Sequence, residues 1–189
     1  MTPDERAAEA GGLRRMNWGA GRSETGWWNS DLKDEFGMDH VGDIAEGLPI
    51  ADDTFDYIAS IHALPMIRYP ELIPTLTELR RTLVSGGVLR LVLPDLEKGV
   101  AAWRRGDTDY FAVPDADETT LSGKLICQLL WYGWSSTLFT REWIEDLLLR
   151  SGYVAVHHAT IGHSPTGRHG ICDLDNREAE SLFVEAVAP

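Results

Sequence analysis

Residues 16–31 read Met16-Asn17-Trp18-Gly19-Ala20-Gly21-Arg22-Ser23-Glu24-Thr25-Gly26-Trp27-Trp28-Asn29-Ser30-Asp31. A predicted short strand, Leu13 to Asn17, runs into the glycine turn Gly19-Ala20-Gly21, and Asp31 closes the next strand, Trp27 to Ser30. Glycine accepts positive φ and lets the main chain approach a ligand closely. An acid ending the second strand of an α/β sheet can accept hydrogen bonds from both hydroxyls of a ribose. This order of strand, glycine turn, strand and acid is the layout of a nucleotide site. A G-x-G pair alone is common, so the spacing downstream carries the reading: Gly42-Asp43-Ile44, then Leu48-Pro49, then Asp53-Thr54-Phe55-Asp56 opening a β-rich run to Leu64.

Outward from this segment, further strands are predicted at Asp39 to Gly42 (a short edge), Phe55 to Ile61, Gly87 to Leu93, Tyr153 to Ile161 and Glu180 to Val187. Helices fall between them. Leu72, Leu76, Leu79 and Leu83 recur at helical spacing over Glu71 to Leu83, ahead of Ser85-Gly86-Gly87. A second helix is predicted over Arg141 to Ser151, with Thr140 as its N-cap and Gly152 as its terminator. Strands alternating with helices imply a Rossmann-like, mostly parallel sheet covered on both faces. The last two strands, joined by a Gly/His/Pro-rich loop, suit an antiparallel hairpin.

Two lengths depart from a plain doubly wound fold. Only ten residues separate Gly21 from Asp31, whereas a dinucleotide unit has about 20 between glycine turn and acid. The first crossover helix is therefore absent or a single turn. A pyrophosphate would lose its helix-terminus partner there, and Glu24 stands where the third glycine of the dinucleotide fingerprint belongs, so a nicotinamide cofactor is disfavoured. Residues 96–136 form a long connection of the kind that carries function, here a wall over a second ligand. Within it a helix is predicted at Glu97 to Arg105, a loop at Asp107 to Asp117 and an apolar helix at Leu121 to Trp134. Residues 1–12 read as a loose arm.

The chain of 189 residues reads as one domain, 1–189, and carries a net charge of −13. That charge argues against a nucleic-acid partner, because phosphate affinity comes from Lys and Arg. Cys127 and Cys172 lie outside any C-x-x-C spacing, and neither a signal peptide nor an apolar run of membrane-spanning length occurs. The expectation is a cytoplasmic protein without a membrane partner. His157 and His158 are neighbours on a strand and point to opposite faces, while His163 and His169 sit in a loop, so no metal site is expected. Asp173, Asp175, Asn176 and Arg177 are read as stabilising the hairpin turn by local hydrogen bonds. Trp131, Tyr132 and Trp134 are read as core or interface residues. Trp27 and Trp28 are read as cover for the face without a crossover helix, where an exposed patch would favour a homodimer.

The chain resembles the class I S-adenosylmethionine (SAM) dependent methyltransferases, and most of all the small predicted methyltransferases of bacterial glycan and secondary-metabolite gene clusters. The residues that carry the resemblance are Asn17, Gly19, Gly21, Gly26, Trp27, Asn29, Asp31, Asp43, Leu48, Pro49, Asp53, Phe55, Asp56, Ser60, His62 and Leu64, with the tail Asp173 to Ala186. The resemblance implies SAM as cofactor, held by Asn17, Gly19, Ala20, Gly21, Asp31, Leu32, Asp43, Ile44 and Ile61. Asp43 would accept from the adenine amino group and Ile44 would pack on the ring. It also implies methyl transfer to a small-molecule acceptor, a hydroxyl of a sugar or natural product. His62, at the end of the fourth strand, has the chemistry of a general base, or else packs on the cofactor. Asp95, just after the fifth strand, faces the same edge, where it could orient that histidine, bind the acceptor or help hold a divalent metal. Where the family commonly has Leu-Glu-His after the fourth strand, this chain has Leu64-Pro65-Met66. The rival expectation is a SAM- or S-adenosylhomocysteine-binding subunit without transfer activity, and a third is a module that binds a sugar nucleotide.

Overall fold

The computed structural model describes residues 1–9, 11–34, 37–168 and 170–189. These residues form a seven-stranded sheet in the order β3-β2-β1-β4-β5-β7-β6, with β1 Arg15–Trp18, β2 Trp28–Asp31, β3 His40–Val41, β4 Phe55–Ile61, β5 Leu83–Pro94, β6 Ala155–Ala159 and β7 Ser181–Val187. The first five strands run parallel, and β7 lies antiparallel between β5 and β6. This is the Rossmann-like, mostly parallel sheet with a C-terminal antiparallel hairpin that the sequence predicts. The strand order reverses between β1 and β4, the switch point where open α/β sheets leave a crevice at the carboxyl ends of their strands.

Alternation along each strand separates two faces. Leu89, Leu91 and Leu93 of β5 join Met16, Trp28, Ile58, Leu182 and Val184 in the main core. That core is sealed by α2 (Leu72–Thr82) and α5 (Arg141–Arg150). Leu72, Leu76 and Leu79 are fully buried, each contributing about 1.5–3 kcal/mol. Thr140 caps α5 by accepting from the Trp143 N–H. Helix α2 ends one residue earlier than the glycine signal suggests, because β5 begins at Leu83 and bulges before Val88, with Gly86 at φ 71.

No helix joins β1 to β2, as the ten-residue spacing requires. The second sheet face is covered instead by the connection between β6 and β7. Ile171 packs on Tyr57 and Val88, while Ile161 packs on Val92, Ala159 and Phe183. Arg90, with no exposed surface, sends all five N–H donors into this connection and β7: to both Asp175 oxygens (2.6 and 2.7 Å), to Glu185 (2.7 Å) and to the carbonyls of Thr160 and His163. Asp173 pairs with Arg15 at 3.0 Å. These acids therefore act through ion pairs across the fold, and the expectation of purely local turn bonds is corrected. Trp27 lies under the Arg15 guanidinium, 4.7 Å from ring to cation, whereas Trp28 turns into the main core. Both indoles are buried, so they provide no exposed patch for a dimer.

Three other segments differ from expectation. The arm holds a helix, α1 (Pro3–Glu9), fastened where Arg6 and the Met1 amino group pair with Asp39. In the insert, α3 (Leu96–Arg105) and α4 (Leu121–Leu130) form, but α4 stops before Trp134 because Trp131 and Tyr132 turn left-handed at φ 44 and 55. Trp131, Tyr132 and Trp134 are exposed and leave the core to others.

Candidate functional site

At the switch point the chain leaves β1 through Gly19, whose N–H, with that of Ala20, donates to the Ser30 carbonyl of β2. Gly19 stands at φ 66 and a Cβ there would overlap the Ala63 methyl beyond β4, so only glycine lets the turn close on that strand. Gly21, at φ 63, faces open space and donates its N–H to Asp31 Oδ2 at 2.8 Å. Asp31 Oδ1 accepts from the Lys33 N–H at 3.2 Å. One carboxylate thus joins the turn after β1 to the end of β2, and Leu32 beside it is 63% exposed. The geometry fits a nucleoside, with an open rim, a carboxylate for ribose hydroxyls and an apolar side chain for a ring.

Other expected cofactor residues are placed differently. Asn17 is buried, and its amide donates to Asn29 Oδ1 at 3.2 Å. Asn29 in turn binds the Glu24 and Trp27 main chain. Asn17 therefore shapes the loop between β1 and β2 from beneath. Ile44 is 5% exposed and committed to the main core, so among the described residues the apolar surfaces open at this end are those of Leu32 and Val41. Asp43 is exposed and caps a single helical turn through the Ala45 N–H. Ile61, the last residue of β4, packs on the second-face cluster of Val92, Ala159 and Phe183.

His62 follows Ile61 with φ 57 and donates its main-chain N–H to Val92. Its Nε2 shares a 2.8 Å hydrogen bond with the Ser181 hydroxyl of β7. Burial, aided by the nearby charge of Arg177, lowers its pKa from 6.5 to about 3, so the ring is neutral at physiological pH. Asp95 does not orient it. The Asp95 carboxylate, 3% exposed, caps α3 by accepting from the Glu97 and Lys98 N–H groups at 2.9 and 3.1 Å. Ser181 supplies the support expected of Asp95, and it lies 119 residues from His62, beyond any local signal.

The structure gathers more groups here. Lys98, on the first turn of α3, donates to the carbonyls of Ser181 (2.7 Å) and Glu178 (3.1 Å). Arg177 pairs with Glu180 at 3.2 Å and lies over Trp131, 5.1 Å from its centroid. Tyr110 stands close enough to Asp95 and Glu180 that their charges add to burial in raising its pKa to about 12, leaving it a donor. Across the mouth, Lys33 lies 5.4 Å from the Trp134 ring, and the Ser136 and Thr137 N–H groups bond the Pro65 carbonyl. Residues 131–137 thus run over the strand ends. Trp103 instead braces α3 to α4 through Ser122.

One cavity of about 610 Å³ is lined by Thr108, Phe111 and Lys124 and another of about 410 Å³ lies beside Leu96, Arg104 and Thr140, and neither is lined by the glycine turn, Asp31 or His62. Among the described residues no group of three His, Cys, Asp or Glu is arranged to hold a metal ion, and His169 lies outside them. No helix of the described residues is long and apolar enough to cross a membrane.

A family model described as a methyltransferase domain matches residues 29–91. The matched stretch begins in β2 and ends in β5, so it holds Asp31, Asp43 and His62 while the glycine turn lies outside. Among curated proteins, none matches the chain. Among solved structures, a SAM-dependent methyltransferase from Thermotoga maritima is 16% identical with a TM-score of 0.56, over 94% of this chain and 83% of its own. One from Mesorhizobium loti is 20% identical with a TM-score of 0.56, over 95% and 92%. A third, from Archaeoglobus fulgidus, is 11% identical with a TM-score of 0.57, over 97% and 90%. These structures establish the fold. The matched domain indicates SAM as the cofactor and supports methyl transfer as the activity.

Proposed function

We propose that the crevice at the ends of β1, β2 and β4 binds SAM, and that the chain methylates an oxygen of a small-molecule acceptor, such as a sugar or natural product, seated against residues 96–136. The observation that carries this reading is the Gly21–Asp31 hydrogen bond at the switch point, with open space above Gly21. When bound, SAM brings a methyl group already activated on a sulfonium. The chain's work is then alignment, an effect of about 7–11 kcal/mol when reacting atoms are held in near-attack geometry.

Each residue has a part in that alignment. Gly19 brings the turn against β4, Asp31 receives ribose hydroxyls while holding Gly21, and Leu32 offers an apolar surface to the base. Asp43, exposed beyond β3, is available to a ring amino group. His62, neutral and tethered to Ser181, shapes the floor between cofactor and acceptor as a positioning residue. Tyr110 and the segment 131–137 supply the acceptor-side wall.

Calorimetric titration with SAM tests the reading. One molecule should bind per chain, and Asp31→Ala should weaken binding by about 1.5–3 kcal/mol, as for hydrogen bonds to a charged group. A wild-type protein without SAM affinity refutes the assignment. Binding without transfer to any acceptor would instead favour a non-catalytic SAM-binding subunit.

A further inference from the structure

We infer that the acceptor oxygen belongs to a carboxylate gripped by Lys98, so that the product is a methyl ester. The inference rests on the methyl-transfer reading of the crevice and sharpens it. The two titratable groups delivered by β4 and β5 are both held: His62 Nε2 shares a hydrogen bond with the Ser181 hydroxyl, and Asp95, only 3% exposed, accepts two N–H groups of α3 on Oδ1. An alcohol acceptor must lose a proton during transfer, and neither group stands ready to take it.

Charge gives the second argument. The chain is strongly acidic, yet two cations converge where β7 begins. Arg177 is matched by Glu180. Asp95 spreads its charge into the first turn of α3, and Glu97 reaches the Arg141 N–H at 3.5 Å. Lys98 is left with main-chain carbonyls as partners, and no carboxylate of the described residues pairs with it. An ammonium has three donors, of which two are occupied. A half-buried cation without a counter-ion is unfavourable, and an incoming carboxylate corrects that. The Tyr110 hydroxyl, kept protonated by burial and by the charges of Asp95 and Glu180, makes no hydrogen bond among the described residues and is a donor available to the second carboxylate oxygen.

The reaction balances without a base. The carboxylate oxygen forms a new C–O bond as the C–S bond of the sulfonium breaks, and the bonding pair stays on sulfur as a neutral thioether. The negative charge of the acid and the positive charge of the sulfonium cancel, and no proton is released.

The full chain would be incubated with SAM labelled in its methyl group, against benzoate, salicylate and glucuronate in parallel with benzyl alcohol and glucose. Label transferred to an acid and released as methanol by mild alkali is the expected result, since esters hydrolyse under those conditions and ethers do not. In the S-adenosylhomocysteine complex, calorimetry should show the accepted acid binding at least tenfold more weakly to Lys98→Met, with S-adenosylhomocysteine affinity unchanged and acid binding largely restored in Lys98→Arg. Thermal melting checks that both variants fold, and the acid-against-alcohol comparison on the wild type decides the matter if either does not. Alkali-stable label, preference for alcohols, undiminished acid binding by a folded Lys98→Met, or a protein that binds S-adenosylhomocysteine but neither binds nor methylates any acid overturns the proposal. A protein that does not bind S-adenosylhomocysteine overturns the underlying reading of the crevice instead.

Discussion

Acid should destabilise this protein through His62 by an amount that one substitution can isolate. In the unfolded chain the imidazole titrates at 6.5, whereas in the fold it does so only at about 3 because the ring is desolvated and lies near Arg177. Between those values the unfolded state binds a proton that the folded state refuses, so stability rises with pH across that window. The contribution is intact above pH 6.5 and is lost progressively as the pH falls toward 3. At pH 5, one and a half pH units below the unfolded value, the loss amounts to about 2 kcal/mol. His62→Asn removes the titration and suits the left-handed backbone at φ 57. It also loses the Ser181 contact, but that loss is the same at both pH values. Urea unfolding at pH 7.5 and pH 5 should therefore show the wild type losing about 2 kcal/mol more than the variant. Equal losses would mean that the ring is solvated and titrates normally, which would return it to candidacy as a base.

Further outcomes follow from other contacts. Gly19→Ala should lower the melting temperature and abolish SAM binding, because the new methyl overlaps Ala63 and φ 66 disfavours alanine; wild-type affinity in a folded variant would show that the turn need not close on β4. Arg90→Met should cost about 3–5 kcal/mol in denaturant unfolding, since it strands the Asp175 and Glu185 carboxylates, and a loss under 1 kcal/mol would show that the connection covering the second face relaxes to hydrate them. Tyr110→Phe should raise the acceptor KM while leaving SAM affinity unchanged in calorimetry, and equal losses in both would place residues 96–136 in the general scaffold.

The amino-acid sequence by itself determined the sheet and the glycine turn that meets Asp31 at the strand ends. Glycines at positive φ, an acid at the end of β2 and the alternation of β5 express short-range sterics and side-chain periodicity, which neighbouring residues dictate whatever the rest of the chain does. The missing crossover helix was equally legible, because nine residues between β1 and β2 leave no room for one. Tertiary structure alone decided the partners of the chemical groups. Asp95 and Ser181 both had the character to support His62, and only the antiparallel insertion of β7 beside β5 brought Ser181 into reach while α3 claimed Asp95. Asp175 looked like a turn residue until Arg90, 85 positions away, needed a counter-ion on a buried face. Hydrogen bonds and ion pairs between distant segments depend on where the core places each strand end, and that placement is a property of the whole packed chain.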